Sequence, residues 1–219
     1  MGQFTTTKAP SLVVTEREYK EQNEGQFRNQ LRLYFNQIDS GFEQILIGQG
    51  GSNIDFPHIV AYNTEDQFSS ADDTPTKILW SATADVAGFT LNEDNTATAN
   101  FSGTYKIEYR LQGVNTANEG LDVVVWLKVN NVDVEHSATK FSIPARKSVG
   151  VNTYKSLSAF ISWETTAGDT FSLWWATEQA FISGVQDGVY LESEAAQTSP
   201  YAHPEIPSSY GVIQYIGRE

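Results

Sequence analysis

Residues 105–111 read Tyr-Lys-Ile-Glu-Tyr-Arg-Leu, and this strict alternation constrains the fold more than any other feature of the chain. A helix would scatter Tyr105, Ile107, Tyr109 and Leu111 around its circumference, whereas a strand sends all four to one face and Lys106, Glu108 and Arg110 to the other. One dry face and one wet face require a second layer over the dry one. Similar segments recur: KILWSATAD (77–85), ATANF (97–101), TYKIEYRLQGV (104–114), LDVVVWLKVN (121–130), SLSAFISWET (156–165), DTFSLWWATE (169–178), GVYLESEA (188–195) and SYGVIQYIGR (209–218). The densest, 121–130, reads as a strand covered on both sides, and Asn130-Asn131 as a tight turn into VDVEHS. Eight to ten strands with no convincing helix after residue 48 predict an antiparallel sandwich or jelly roll.

The first part of the chain obeys another rule. Thr15 and Glu18 form a capping-box pair, and no proline interrupts the run from there to Leu46. Phe27, Leu31, Tyr34, Ile38, Phe42 and Ile45 step by four, three, four, four and three residues, a heptad-like seam. Leu33 and Phe35 fall off it and give a second apolar surface, so one side suits self-association and the other docking; the alternative is a helix folded back on its own domain. Gly25 and Ser40-Gly41 are the expected weak points. Gly48, Gly50, Gly51 and Ser52 read as a joint. The predicted organisation is an N-terminal arm and anchoring helix (1–47), an extended linker (48–75) and a β domain (76–219) that folds without the helix.

Charge follows the same division. Of 14 Lys+Arg and 27 Asp+Glu, five basic and six acidic residues fall in 1–47, leaving nine against 21 in the remainder. A net charge of −13 excludes a phosphate-tracking nucleic-acid binder and disfavours an anionic membrane surface. The absence of cysteine removes disulfides, thiolate metal sites and cysteine nucleophiles, leaving packing or oligomerisation to stabilise the chain. No stretch is apolar enough to span a bilayer, and the opening MGQFTTTKAP has no apolar signal core.

No G-x-S-x-G, P-loop, H-E-x-x-H or G-x-G-x-x-G occurs, and His58, His136 and His203 lack ligand-like spacing. Carboxylates near Glu65, Asp66, Asp72 and Asp73, or Asp187, Glu192 and Glu194, could be imagined around calcium, but without the fixed offsets of an EF-hand loop. Neither a catalytic constellation, a cofactor nor a metal is therefore expected. Trp174 and Trp175, adjacent on a strand, must point to opposite faces: one into the core, the other to a subunit contact or, as a second reading, a sugar platform. Tyr190, Tyr201, Tyr210 and Tyr215 form a late aromatic cluster that either seals the base of the sandwich or meets a glycan or receptor. Trp126 and Trp163 have a core explanation.

From residue 75 onward the chain resembles the jelly roll of complement globular heads and tumour-necrosis-factor-like proteins, in the form found in bacteriophage structural proteins. The resemblance is carried by Gly103-Thr104-Tyr105, by Val125-Trp126-Leu127-Lys128-Val129-Asn130-Asn131, by Ala167-Gly168-Asp169-Thr170-Phe171-Ser172-Leu173-Trp174-Trp175 and by the closing strand through Tyr215. FRNQLRLYFNQIDSGF (27–42) resembles the helix preceding such domains in tailed-phage virion proteins. The resemblance implies a homotrimer: a non-enzymatic virion fibre, spike or decoration protein, anchored by its helix to other capsid or tail proteins. The alternative is the host-receptor or glycan-binding tip of a tail fibre. Candidate contact residues are Phe27, Leu31, Tyr34, Ile38, Phe42 and Ile45 on the helix, and Trp174, Trp175, Tyr190 and Tyr215 on the domain.

Overall fold

A computed structural model describes residues 21–46, 56–200 and 202–217, with helix side chains described from Glu24 to Ile38. The chain divides into two units, Met1–Asp55 and Phe56–Glu219. The described residues of the first form one helix, α1 (Glu21–Leu46), which runs unbroken through the expected weak points at Gly25 and Ser40-Gly41. The proposed cap at Thr15 and Glu18 lies outside the described residues.

The second unit is all β among the described residues. Its first strands are β1 (His58–Asn63), β2 (Thr76–Lys77), β3 (Ala82–Ala87), β4 (Phe89–Leu91), β5 (Ala97–Ala99) and β6 (Gly103–Asn115). Then follow β7 (Leu121–Val129), β8 (Val132–Asp133), β9 (Thr139–Ile143), β10 (Thr153–Thr165), β11 (Thr170–Thr177), β12 (Val189–Leu191) and β13 (Ser209–Gly217). One sheet has the order β10-β6-β13-β1-β3, with β12 also against β6. The other has β4-β5-β11-β7-β8, with β2 against β11 and β9 against β7. The long strands alternate between layers, β5 to β6 to β7 and β9 to β10 to β11 to β13, with antiparallel pairing throughout both sheets. This is a jelly-roll sandwich.

The alternation that predicted a dry face is the one that fills the core. Tyr105, Ile107, Tyr109 and Leu111 on β6 are at most 3% exposed, and opposite them lie Val123, Val125, Leu127, Phe171, Leu173 and Trp175 of the second sheet. Each such aliphatic or aromatic side chain contributes about 1.5–3 kcal/mol on burial. Asn130 and Asn131 both take positive φ, 50° and 63°, as a two-residue turn matched to the strand twist demands. At the far end Gly103 is obligatory, because a Cβ there would sit 2.3 Å from the Tyr215 ring.

The expected linker at 48–75 is corrected from residue 56 onward. HIVAYN (58–63) is β1, paired with β13 on one side and β3 on the other. The loop after it is tied in as well: the buried Gln67 side-chain amide donates to the Ser208 and Ser209 hydroxyls at 3.0 Å, and its Oε1 accepts from Leu79 N at 2.8 Å. The β domain therefore begins near Phe56.

Candidate assembly surface

Because alternate residues of β6 line the core, the intervening ones define the outer face of its sheet, and the pairings align them in rows. Phe160, Glu108, Val212, Val60 and Asp85 form one row across β10, β6, β13, β1 and β3; Ser158, Arg110, Tyr210 and Tyr62 begin the next. Phe160 is 67% exposed although it lies mid-strand. The Lys106 ammonium lies 5.2 Å from the centre of its ring and 2.7 Å from Glu108 Oε1. The Arg110 guanidinium covers Tyr210 at 5.7 Å, and His58 Nε2 approaches Asp85 Oδ2 at 3.1 Å. Between these rows runs a shallow groove lined by Glu108, Arg110, Ser158, Phe160, Tyr210 and Val212. Phe160, Tyr210 and Arg110 are of the residue types enriched in protein contacts, while Lys106, Glu108 and Asp85 are of types depleted there.

Trp174 and Trp175 do point to opposite faces. Trp175 is fully buried in the core and is thus no platform or contact residue. Trp174 faces outward, half-buried, its indole donating to Ser172 Oγ at 3.1 Å; Lys128 lies 4.4 Å and Lys77 5.9 Å from its ring centre. Trp126 is opposite it in register and also outward, donating to Asp133 Oδ1 at 2.6 Å, which corrects its expected core role and the expectation that β7 is covered on both sides. Trp163 belongs to the inward set of β10 yet remains 36% exposed, because β10 is an edge strand and its end is not covered.

Tyr215 is likewise corrected. It faces inward, packs edge-on against Tyr105 at 5.6 Å and stacks on Phe56 at 6.3 Å, closing one end of the sandwich. Tyr190 is 8% exposed and pairs with Val114 of β6, and Tyr201 lies outside the described residues. On α1, Phe27 is 38% exposed, and Leu31, Tyr34 and Ile38 are half-buried; Phe42 and Ile45 lie within the helix, with side chains outside the described residues. The off-seam Leu33 and Phe35 are both 56% exposed.

Of the carboxylates considered for calcium, Asp66, Glu192 and Glu194 lie close enough to influence one another, while Asp72 and Asp187 are engaged elsewhere. Asp66 accepts from Ser193, Asp72 from Ala180 N and Gln186, and Asp187 pairs with Arg146 at 2.9 Å. Among the described residues no three His, Asp or Glu side chains gather as a metal site. Phe160 was missed as a surface feature. Its signal was the pattern Ser156, Ser158, Phe160, Ser162, one aromatic in a row of serines.

No protein-family model matches the sequence, and no curated protein matches it. Among solved structures, Eiger TNF from S. frugiperda is similar, with a TM-score of 0.45 and 12% identity over 75% of this chain and 95% of that one. The strand order above, independent of that likeness, defines the jelly roll.

Proposed function

We propose that this chain is a non-enzymatic virion structural protein of a tailed bacteriophage, a homotrimer whose jelly roll projects from a capsid or tail anchored by α1. The observation that carries the assembly half of this reading is Phe160, two-thirds exposed in the middle of a strand and beside Val212 and Tyr210. A lone monomer gains nothing by keeping that ring in water, whereas a neighbouring copy would bury it. Trp174 is the weaker candidate for the same contact, since it is already half-buried and its indole N–H is bonded to Ser172. The absence of cysteine and the exposed Leu33 and Phe35 of α1 fit a chain stabilised by association. The virion assignment rests on the sequence resemblance of 27–42 and of the domain to phage structural proteins. Sedimentation equilibrium tests the trimer, and a 24 kDa monomer at micromolar concentration would overturn it. Mass spectrometry of purified virions, with microscopy to place the chain on capsid or tail, tests the location.

A further inference from the structure

We propose that the Phe68–Tyr190 stack, flanked by Glu192 and Asp66, is a docking site for a lysine- or arginine-rich segment of a partner protein. The site starts from a short ladder in which Gln67 N donates to Leu191 O at 2.8 Å and Leu191 N to Gln67 O at 2.9 Å. An antiparallel pair of this kind sets Phe68 opposite Tyr190 and Asp66 opposite Glu192, with all four side chains on one face. The contacts agree: the Phe68 and Tyr190 rings stack at 5.3 Å and 18°, and the Tyr190 hydroxyl donates to Glu192 Oε1 at 2.6 Å. Phe181 closes a third side, 5.9 Å from Phe68 and 5.1 Å from Tyr190. Tyr190 is buried beneath, while Phe68 remains 48% exposed.

Two features of this face are unfavourable in the chain alone. A large apolar ring is left in water, and two carboxylates of like charge stand opposite each other across a strand pair. Burial, with Asp66 and Glu194 nearby, pushes the Glu192 carboxyl above its ordinary range despite hydrogen bonds from Tyr190 and Tyr154. Asp66 cannot simply turn away, since it accepts from both Ser193 N and Ser193 Oγ. A lysine or arginine relieves both at once, with its methylene stem over Phe68 and its charged head against the carboxylates and the aromatic edge. A neutral sugar would cover the ring but leave the carboxylates opposed; an anion would be repelled.

The test is fluorine NMR of the full chain carrying 4-fluorophenylalanine at position 68, titrated at pH 7.5 with decalysine. Sodium chloride of matched ionic strength, decaglutamate and maltohexaose serve as controls. The expected result is a saturable shift with decalysine alone, weakened about fivefold by Glu192→Gln, which keeps a hydrogen-bonding oxygen for Tyr190. A second variant, Phe68→Leu with the label at Phe181, is expected to lose the response while its circular dichroism is unchanged. A label at Phe160 that responds as strongly as one at 68 would mean diffuse attraction to an acidic protein and overturn the site. So would a response to maltohexaose without one to decalysine. The site lies on the outer face that carries Phe160, three rows along it at Tyr154 and Tyr190, but all of its residues come from one chain and it needs no second copy to complete it. A monomeric chain that still bound decalysine would therefore sink the trimer and leave this site standing.

Discussion

Trp80 lies over Gly211 so closely that a Cβ at 211 would come 2.3 Å from the indole Cη2 and 2.7 Å from Cζ3. Trp80, Gly211, Ile59, Ala61 and Ile213 line one small cavity at the margin of the core, and the Trp80 backbone N–H is held by Asn95 Oδ1 at 2.9 Å, so the indole can move only by shifting its side chain. Gly211→Ala is expected to cost about 2 kcal/mol, because the new methyl group collides with the indole and forces it to shift. Urea denaturation of the two proteins measures it; an unchanged midpoint would show that the indole moves freely.

The position of β1 fixes where the domain can be cut. A chain starting at Phe56 keeps β1 and the Phe56–Tyr215 stack and is expected to fold. One starting at Thr76 loses a strand hydrogen-bonded on both sides, together with Gln67 and its serine partners, and is expected to be insoluble or unfolded. Dispersed amide resonances from the shorter chain would refute this boundary.

The two outer faces give opposite expectations for assembly. Phe160→Ser should weaken trimerisation by about 2 kcal/mol, about a thirtyfold rise in dissociation constant, with the subunit fold unchanged. Trp174→Ala should leave oligomer mass at micromolar concentration as it was. Analytical ultracentrifugation of both variants decides, and the reverse pattern would move the contact to the β7–β11 face.

Glu192 supplies a pH dependence with a definite sign. Its carboxyl is raised above the ordinary 4.5 by burial first and by Asp66 and Glu194 next. Folding therefore favours its protonated form: the contribution is full below 4.5 and is lost as pH rises through the folded-state value. Glu192→Gln has no such titration, so wild type should lose stability relative to the variant as pH rises from about 4.5 through the folded-state value. Urea midpoints of the pair across that range give the difference, and a constant difference counts against the assignment.

Much of the sandwich was legible because hydropathy alternates wherever one face is wet. Lys106, Glu108 and Arg110 mark β6 as surely as Tyr105 to Leu111 do, and Asn130-Asn131 announces its turn because few residues other than glycine accept positive φ twice. β1 was hidden for the opposite reason. Its outward residues Val60 and Tyr62 are as apolar as its inward Ile59 and Ala61, so six residues between polar loops carried no period. The same lack of contrast misplaced Trp126, whose outward indole is screened by neighbours on its own sheet. The Phe68 site was illegible in principle, since the short ladder joining 66–68 to 190–192 spans more than a hundred residues and leaves no local trace.

The pairing of β1 with β13 has a mechanical consequence. His58 lies opposite Gln214, so the strand that enters the domain and the strand that leaves it are joined at the same end of one antiparallel ladder. Tension applied through both would load that ladder one rung at a time, the geometry of a zip fastener, and it would part at low force. Tension entering only beside residue 56 meets β1 clasped between β13 and β3, where the rungs of two ladders share the load. A module held by its leading strand alone is thus the sturdier arrangement for a body exposed to shear.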